Sequence, residues 1–451
     1  MTTESSPPVS RHAATAGLTL LFLISAVNYA DRAVMSVLQE PMKHDLGLSD
    51  VQLGLLAGPI FASFYALVGL PVARLGERSS RKRIIVMALT CWSAFTALCG
   101  VAQGFTQIAL LRVGVGASEA CGPPASQSLV AEFLPQRLHG RGMAVLQLGV
   151  PIGITIGSMV AGVVAYHHGW RLGFVAVGVP GLILAVATQW RLREPSREAT
   201  SAQTARAGWQ ETTRLFRMPA FCFLLAAGAL GGNASHALDA FVGSLFIRRH
   251  GLTVEDIGGL FAIGKGVAGI GGALLGGILA DRFSNGTLRS YALVPGAGAA
   301  GAALCFFVAL WASGTTTSMN SLFAGYFFLN MLPSPTYAAI QNIAPSSIRT
   351  SAAAIYLFFV TVLGSLAPPL TGYISDHVAA HAFPTRLGDY ALQCVKASNA
   401  ALAAPCRAAS AHGLDVGLYV VVAALFVTLC AYALAARWMS GSGQPTERAV
   451  A

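Results

Sequence analysis

The stretch TAGLTLLFLISAVNYADRAVMSVL, residues 15–38, decides the fold of this chain. It is mostly apolar and long enough to cross a bilayer as a helix, which takes about 20 residues. Its apolar residues follow one another without the strict alternation that a barrel strand requires. It is also too long for the apolar region of a secretory signal and lacks a small-residue cleavage site. We therefore expect it to remain in the protein as a membrane-spanning helix.

Similar apolar stretches recur along the whole chain. Only helices and closed barrels satisfy every backbone polar group in lipid, and continuous apolar runs favour helices. We predict twelve transmembrane helices, at 15–38, 51–73, 83–103, 107–133, 141–165, 170–192, 219–247, 255–281, 290–311, 317–342, 348–375 and 414–438.

The composition supports the same class of protein. Of the 451 residues, 54% are hydrophobic and 11% are charged, whereas a soluble domain carries roughly a quarter charged residues. The net charge of +10 would suit either a nucleic-acid-binding protein or a membrane protein with basic cytoplasmic loops. Because the basic residues lie between apolar stretches, we expect a lipid bilayer and no nucleic acid as the partner.

The distribution of these basic residues predicts the orientation in the membrane. Loops that follow even-numbered helices are rich in arginine, including Arg74, Arg78, Arg137, Arg141, Arg191, Arg193, Arg282 and Arg349. The opposite loops carry fewer basic residues. The positive-inside rule places both termini in the cytoplasm, as an even number of helices requires. The Ala- and Gly-rich composition and the lack of an evident organelle signal favour a bacterial inner membrane.

A polar, basic segment at 193–218 divides six predicted helices from six others. We predict an N-terminal half at 1–192, a cytoplasmic linker at 193–218 and a C-terminal half at 219–451. The halves resemble each other, because the second helix of each ends in a small residue, an acid and an arginine: Gly76-Glu77-Arg78 and Ala280-Asp281-Arg282. The predicted fold is an all-α membrane protein with two pseudo-symmetric six-helix halves, the expected build of an alternating-access carrier.

These repeated loops resemble the signature of the major facilitator superfamily, over the whole chain. Within it the chain resembles the spinster family, through Asn28-Tyr29-Ala30-Asp31-Arg32 in helix 1 and Arg112, Gly116, Glu119 and Ala120 in helix 4. Further matches are Val150-Pro151-Ile152-Gly153 and Gly157 in helix 5, and Gln341, Pro345, Arg349, Leu357, Gly364, Pro369, Gly372, Ser375 and Asp376 in helices 10 and 11. Glu77 and Ala73 depart from the usual Asp and Gly of the loop.

The resemblance implies alternating access and an amphiphilic lipid substrate, such as a lysophospholipid or a sphingoid compound. Organic anion:cation symporters of the same superfamily show a similar Asp-Arg pair in helix 1 and Arg…Glu in helix 4. That likeness implies a small carboxylate instead. The charged residues discussed next suit an anionic headgroup and a carboxylate equally well, so both substrate classes stay open.

Three ionisable residues at membrane depth are candidates for proton coupling, since charges there are costly. Asp31 and Arg112 lie at similar depths on helices 1 and 4, and Glu119 lies roughly 10 Å below Arg112 on the same face. One guanidinium would then serve two carboxylates, stabilising the ionised form of one while burial favours protonation of the other. The alternative is a static ion network. We expect Arg32 to reach the outer surface or to pair structurally.

The C-terminal half offers a second set of candidates. His236 and Asp239 share one face of helix 7, and Lys265 lies near the middle of helix 8, where it could neutralise Asp239 or receive an anionic substrate group. We predict a substrate-binding cavity near the membrane midplane. Its polar residues are predicted to be Asn28, Tyr29, His236, Asp239, Lys265, Asn330, Tyr337 and Gln341.

The repeated charged loops are predicted to gate the cytoplasmic side, through Glu77, Arg78, Arg81, Asp281 and Arg282. The run Gly259–Lys265 imitates a phosphate-binding loop, but Gly266 takes the Ser/Thr position and no strand precedes it. We therefore expect ion-gradient coupling rather than ATP. The sequence shows no catalytic or metal-binding constellation, so we expect a monomeric transporter without cofactor, whose small-molecule or lipid substrate moves with protons.

Cys394 and Cys406 lie in the long predicted outer loop at 377–413. An outward-facing compartment permits a disulfide there. The sequence slightly favours two free thiols, and both states stay open.

Overall fold

The computed structural model describes residues 11–76, 80–134, 138–192, 194, 213–284, 288–345, 348–384, 387–396 and 402–439. In the first half of the chain the helices are α1 (Arg11–Leu46), α2 (Asp50–Ala57), α3 (Pro59–Gly76), α4 (Arg81–Cys99), α5 (Phe105–Glu119), α6 (Gly122–Phe133), α7 (His139–His168) and α8 (Trp170–Arg191). In the second half they are α9 (Pro219–His250), α10 (Ala262–Arg282), α11 (Ser290–Trp311), α12 (Thr315–Asn330), α13 (Pro333–Ile343), α14 (Arg349–Gly364), α15 (Ala367–Ala382) and α16 (Ala403–Met439).

Within the described ranges, ten helical spans are long and apolar enough to cross a membrane. Each of the two remaining predicted spans consists of two shorter helices, α5 with α6 and α12 with α13. Both interruptions precede a proline-rich run, Gly122-Pro123-Pro124 in one half and Pro333-Ser334-Pro335 in the other. A proline lacks the amide hydrogen that continues a helix and is well suited to its first turn. With these interrupted helices, the described residues contain twelve transmembrane segments.

The second segment of each half starts and bends in the same way. Ser49 and Thr253 each form a capping box with the residue three positions later, so both segments begin at a satisfied helix end. Each segment then departs from helical geometry at a glycine. Gly58, between α2 and α3, has φ −109° and ψ −104°. Gly259, in the π-turn before α10, has φ −88° and ψ −106°.

Contacts divide the chain into two compact units. Unit 1 comprises Met1–Leu48, Pro59–Gln203 and Leu252–Ile263. Unit 2 comprises Ser49–Gly58, Thr204–Gly251 and Gly264–Ala451. Each unit therefore contains a short piece of the second segment of the opposite half, and that piece ends at or just after the glycine bend.

Small residues set the helix spacing in unit 1. A Cβ atom on Gly153 of α7 would lie 2.0 Å from the carbonyl oxygen of Ala26, so α1 and α7 pack backbone against backbone. Gly162 of α7 meets Gly258 in the same manner. Close approach of this kind gives van der Waals stabilisation where lipid supplies no hydrophobic driving force.

Glycines also allow α2 to pack closely against its neighbours in unit 2. Cβ atoms on Gly54 and Gly58 would lie 2.5 and 2.2 Å from backbone atoms of Pro368 and Ser365, and one on Gly372 would lie 2.2 Å from the carbonyl oxygen of Asp50. The short helix α2 therefore lies directly on the start of α15, which fixes the position of its first residue, Asp50.

A disulfide joins Cys394 and Cys406, whose Cα atoms lie 5.4 Å apart. The slight preference for two free thiols was therefore wrong. The two cysteines pack against a small buried cluster that includes Phe383 and Tyr390. The predicted linker 193–218 falls largely outside the described residues, so the division at 1–192, 193–218 and 219–451 stays a prediction.

Candidate functional site

Four charged side chains meet inside unit 1. Asp31 and Arg32 come from α1, and Arg112 and Glu119 come from α5. The residues Asp31 and Glu119 have no exposed surface and Arg112 is 3% exposed, whereas the Arg32 side chain is 28% exposed. Two carboxylates and two guanidiniums share a region that is held among apolar helices, so the cluster is electrically balanced when all four are ionised.

Glu119 pairs with Arg32. The Nε–H of Arg32 donates to Glu119 Oε2 at 2.8 Å, and Asn28 lies beside the same carboxylate. From depth along the helices, Arg112 was predicted to serve both carboxylates, and Arg32 to have a structural or outward role. Depth does not show how α1 and α5 are rotated about their axes, and this rotation places Arg32 rather than Arg112 in contact with Glu119.

Asp31 is the least satisfied member of the cluster. Among the described residues, neither of its carboxylate oxygens has a hydrogen-bonding partner with good geometry. Thr96 of α4 and Arg112 are its polar neighbours, and the Nε–H of Arg112 is likewise without a hydrogen bond there. The pairing of Asp31 with Arg112 that their depths suggested is therefore a proximity rather than a direct hydrogen bond.

Aromatic rings surround the Arg32 guanidinium. Its central carbon lies 5.0 Å from the ring centroid of Tyr29, 4.9 Å from that of Phe61 and 4.9 Å from that of Tyr65. Phe61 and Tyr65 are one turn apart on α3 and stack at 5.7 Å. Arg112 approaches the same Phe61 ring at 4.9 Å. Tyr29 was among the predicted site residues, whereas Phe61 and Tyr65 were not. Their four-residue spacing on one face of α3, which carries no charge before Arg74, was the available signal.

Unit 2 contains the second predicted cluster. Lys265 Nζ lies 2.5 Å from Asp239 Oδ1, and the same ammonium lies 4.7 Å from the ring centroid of Tyr326. The Lys265 and Asp239 side chains are 25% and 43% exposed, so ligands can reach this pair. Tyr326, which sequence analysis did not name, is buried at 2% exposure.

The remaining predicted binding residues contribute less to this cluster. His236 Nδ1–H donates to its own helix, at Gly232 O, over 2.7 Å. Asn330 Nδ2–H donates to Tyr326 O at 2.8 Å, and the ring of Tyr337 lies 6.2 Å from that of Tyr356. Gln341 is half-buried on α13.

The predicted gating residues are only partly described. Glu77 and Arg78 lie outside the described residues. Arg81 binds Glu132 of α6, and its backbone N–H donates to Glu194 at 2.7 Å. Asp281 accepts a hydrogen bond from the Tyr291 hydroxyl at 2.6 Å, and Arg282 is exposed.

A third charged cluster, which sequence analysis missed, lies in unit 2 where α2 meets α15. Asp50 accepts hydrogen bonds from two nitrogens of Arg248, at 2.7 and 2.8 Å, and from Ser375 Oγ at 2.7 Å. Asp376 accepts from the backbone N–H groups of Asp50 and Val51 at 3.0 and 2.9 Å, which caps the start of α2. Asp50 reads as an ordinary first-turn acid in the sequence, and Arg248 as a loop residue.

The twelve segments and their buried charges define a multi-pass membrane transporter. The family model of the Major Facilitator Superfamily matches residues 21–382, and the chain belongs to this superfamily. It is 32% identical over 375 residues to an MFS-type efflux pump of Mycolicibacterium smegmatis, covering 80% of this chain and 84% of the relative. It is 25% identical over 409 residues to a probable L-galactonate transporter of Escherichia coli, covering 86% and 87%.

The solved structures give the same result. A bacterial homolog of the human lysosomal transporter Spinster, crystallised in an inward-facing and unoccupied conformation, matches with a TM-score of 0.87 and 25% identity. The match covers 96% of this chain and 99% of that chain. The predicted major facilitator fold and the resemblance to the spinster family are confirmed, and the chain is a transporter rather than an enzyme.

Proposed function

We propose that this protein is a proton-coupled secondary transporter of lysophospholipid- or sphingoid-like amphiphiles, working by alternating access. The observation that carries the proposal is the buried cluster of Asp31, Arg32, Arg112 and Glu119. A carboxylate without a hydrogen-bonding partner is costly to keep ionised away from water, so Asp31 is the group expected to take up a proton.

Proton coupling follows if the cluster changes partners during the cycle. Glu119 is paired with Arg32 while Asp31 is without a direct hydrogen-bonding partner. A proton on Asp31 therefore leaves the Arg32–Glu119 pair intact and gives the cluster one net positive charge, on Arg112. If protonation moves to Glu119, Arg32 is released. Symport results if the proton and the substrate are bound together, and antiport results if they bind in competition; either case uses the same residues.

The likeness to the Spinster homolog supports an amphiphilic substrate, and the efflux pump of Mycolicibacterium smegmatis is consistent with export of such molecules. A second candidate substrate class is small carboxylates. The likeness to the probable L-galactonate transporter favours it, as does the accessible Lys265, which could exchange Asp239 for a substrate carboxylate.

We further propose that the protein is a monomer in a bacterial inner membrane, with both termini in the cytoplasm. The arginine-rich loops after even-numbered segments support this orientation. In it, the disulfide Cys394–Cys406 lies on the outer side, where oxidation is permitted.

The test is transport in proteoliposomes with an imposed pH gradient and no sodium. Labelled lysophospholipid and labelled L-galactonate are compared as substrates, and a pH dye inside the vesicles reports proton movement. We expect gradient-driven lysophospholipid transport with accompanying proton flux. Equal rates with and without the gradient for both substrates would refute proton coupling, and gradient-driven movement of L-galactonate alone would establish the second candidate.

Variants locate the coupling site. Asp31→Asn and Glu119→Gln should lose the dependence of transport on the pH gradient, and Arg112→Ala should abolish transport. The matched control is Asp45→Asn, on the same helix α1, because the Asp45 carboxylate lies outside the cluster and binds Trp170 Nε1 at 3.0 Å. Unchanged gradient dependence in both cluster variants would place the coupling site elsewhere.

A further inference from the structure

Three aromatic rings, those of Tyr29, Phe61 and Tyr65, surround the Arg32 guanidinium and are called the aromatic box below. Three ring faces within about 6 Å of a cation, with a carboxylate alongside, are the chemistry that binds alkylammonium groups in proteins. Here the three centroids lie 4.9–5.0 Å from the guanidinium carbon, and Glu119 supplies the carboxylate at 2.8 Å. The box is therefore filled by a group of the protein's own chain.

We propose that Arg32 is a removable occupant of the aromatic box, and that a cationic headgroup of the substrate replaces it there. This inference rests on the proposed function, since it assigns a subsite for the headgroup of an amphiphilic substrate. The ligand class is an alkylammonium or trimethylammonium group on an apolar chain.

Two guanidiniums lie against Phe61, but only Arg32 is placed to leave. Arg112 is 3% exposed, so its withdrawal would have to pass through packed helices. The Arg32 side chain is 28% exposed and sits on a long flexible stem that can extend toward water. Tyr29 and Tyr65 are half-buried, so the box is open on one side in the conformation described.

The exchange conserves the interactions of the site. An incoming ammonium meets the same three rings and the same Glu119 carboxylate that Arg32 leaves, so neither the rings nor the acid loses a cation. The cost is confined to moving the Arg32 side chain. A neutral or anionic headgroup would instead leave Glu119 unpaired or repelled, which gives the box its selectivity.

The exchange predicts an unusual response to mutation. Removing the charge of Arg32 empties the box, and a ligand that no longer competes with an internal occupant binds more tightly. If Arg32 were only a structural partner of Glu119, the same substitution would weaken binding or leave it unchanged.

The test measures binding of dodecyltrimethylammonium, with dodecyl sulfate as the anionic probe of equal chain length. The full-length protein is placed in nanodiscs and studied by isothermal titration calorimetry, with empty nanodiscs subtracted. We expect the parent protein to bind the cationic probe and not the anionic one. Arg32→Gln should increase affinity for the cationic probe several-fold, and Tyr65→Leu should reduce it about tenfold.

Tyr65→Phe keeps the ring and should bind as the parent does, and Tyr166→Leu, an exposed ring on α7, controls for loss of a tyrosine elsewhere. Size-exclusion chromatography verifies that each variant is folded. If Arg32→Gln does not fold, the inference is tested by the affinity of Tyr65→Leu for the cationic probe. Equal binding in Tyr65→Leu and the parent, weaker or unchanged binding in folded Arg32→Gln, or equal binding of both probes would overturn the inference.

The result of this binding test is independent of the result of the transport test for the proposed function. If the cationic probe follows the expected pattern but no amphiphile moves under a pH gradient, the box stands and proton-coupled transport falls. If gradient-driven transport is present while the ring substitutions have no effect on binding, the function stands and the box falls.

Discussion

Arg248 of α9 donates two hydrogen bonds to the carboxylate of Asp50 of α2, at 2.7 and 2.8 Å. The two side chains are 3% and 1% exposed. Bidentate pairing of this kind fixes both distance and orientation. It joins the first residue of a short helix to the end of a long one. Asp50 has a further hydrogen bond from Ser375, so its carboxylate is satisfied by two different helices of unit 2.

Breaking this pair should destabilise the protein strongly, because one charge remains buried without its partner. We expect Asp50→Asn to cost about 3–5 kcal/mol, seen as a lower midpoint in thermal unfolding. The matched control is Asp45→Asn, whose ion pair with Arg171 has side chains that are 46% and 42% exposed. An exposed pair is worth about 0–1 kcal/mol, so equal effects of the two substitutions would contradict the assignment.

The Arg32–Glu119 pair makes a different prediction about double variants. Arg32→Gln removes the partner of a carboxylate that has no exposed surface, whereas Arg32→Gln with Glu119→Gln removes both charges. We expect the double variant to unfold at a higher temperature than Arg32→Gln alone. Additive losses in the two single variants and the double variant would show that the two side chains do not interact.

Lys265 and Asp239 should separate the two substrate classes. Asp239→Asn frees the Lys265 ammonium, so binding of an anionic ligand should strengthen several-fold, and Lys265→Gln should weaken it about tenfold. Equilibrium binding of labelled L-galactonate and labelled lysophospholipid measures both effects. An effect on galactonate alone favours the small-carboxylate function, and no effect on either ligand would exclude Lys265 from binding.

The disulfide Cys394–Cys406 should protect the loop that it closes, which the proposed orientation places outside the cell. The bond joins cysteines that are 12 residues apart. By lowering the conformational entropy of the unfolded chain, it should stabilise the folded loop by about 3 kcal/mol. We expect a Cys394→Ser and Cys406→Ser variant to be cut faster there by protease added from outside. Mass spectrometry of non-reduced peptides gives the direct check, and two alkylatable thiols in the parent protein would disprove the bond.

Glu77 is predicted to hold the cytoplasmic side closed, and Glu77→Gln should shift the resting state toward inward-open. Cysteine accessibility labelling from the cytoplasmic side measures the shift. Asp45→Asn is the comparison, because Asp45 pairs with Arg171, neither residue belongs to the predicted gate, and the substitution should leave the resting state unchanged. Unchanged labelling in Glu77→Gln would remove the gate assignment.

Hydropathy alone predicts the transmembrane segments well, because lipid requires long apolar stretches whatever their partners. It also identifies Asp31, Arg112 and Glu119, since a charge within such a stretch is rare. It does not predict the breaks at Ala120–Cys121 and Met331–Leu332, although the prolines that follow them are visible. A helix can tolerate proline when neighbours satisfy its backbone, so the sequence leaves both outcomes open.

The ion pairs between helices could not be predicted from the sequence. Arg32 rather than Arg112 binds Glu119, and Arg248 binds Asp50, because of how the helices are rotated and which small residues let them approach. Gly54 and Gly372 bring α2 onto α15, and no local pattern states which helix a glycine will face. Contacts of this kind depend on residues far apart in the chain.

The pieces Ser49–Gly58 and Leu252–Ile263 give the chain an unexpected connectivity. It passes between the two units at residues 48–49, 58–59, 203–204, 251–252 and 263–264, rather than once through the linker. A protein cut in the predicted linker 193–218 would consist of two fragments, each of which contributes a short piece to the unit formed mainly by the other, as in a domain-swapped dimer. Cutting the predicted linker should therefore leave two fragments that purify together.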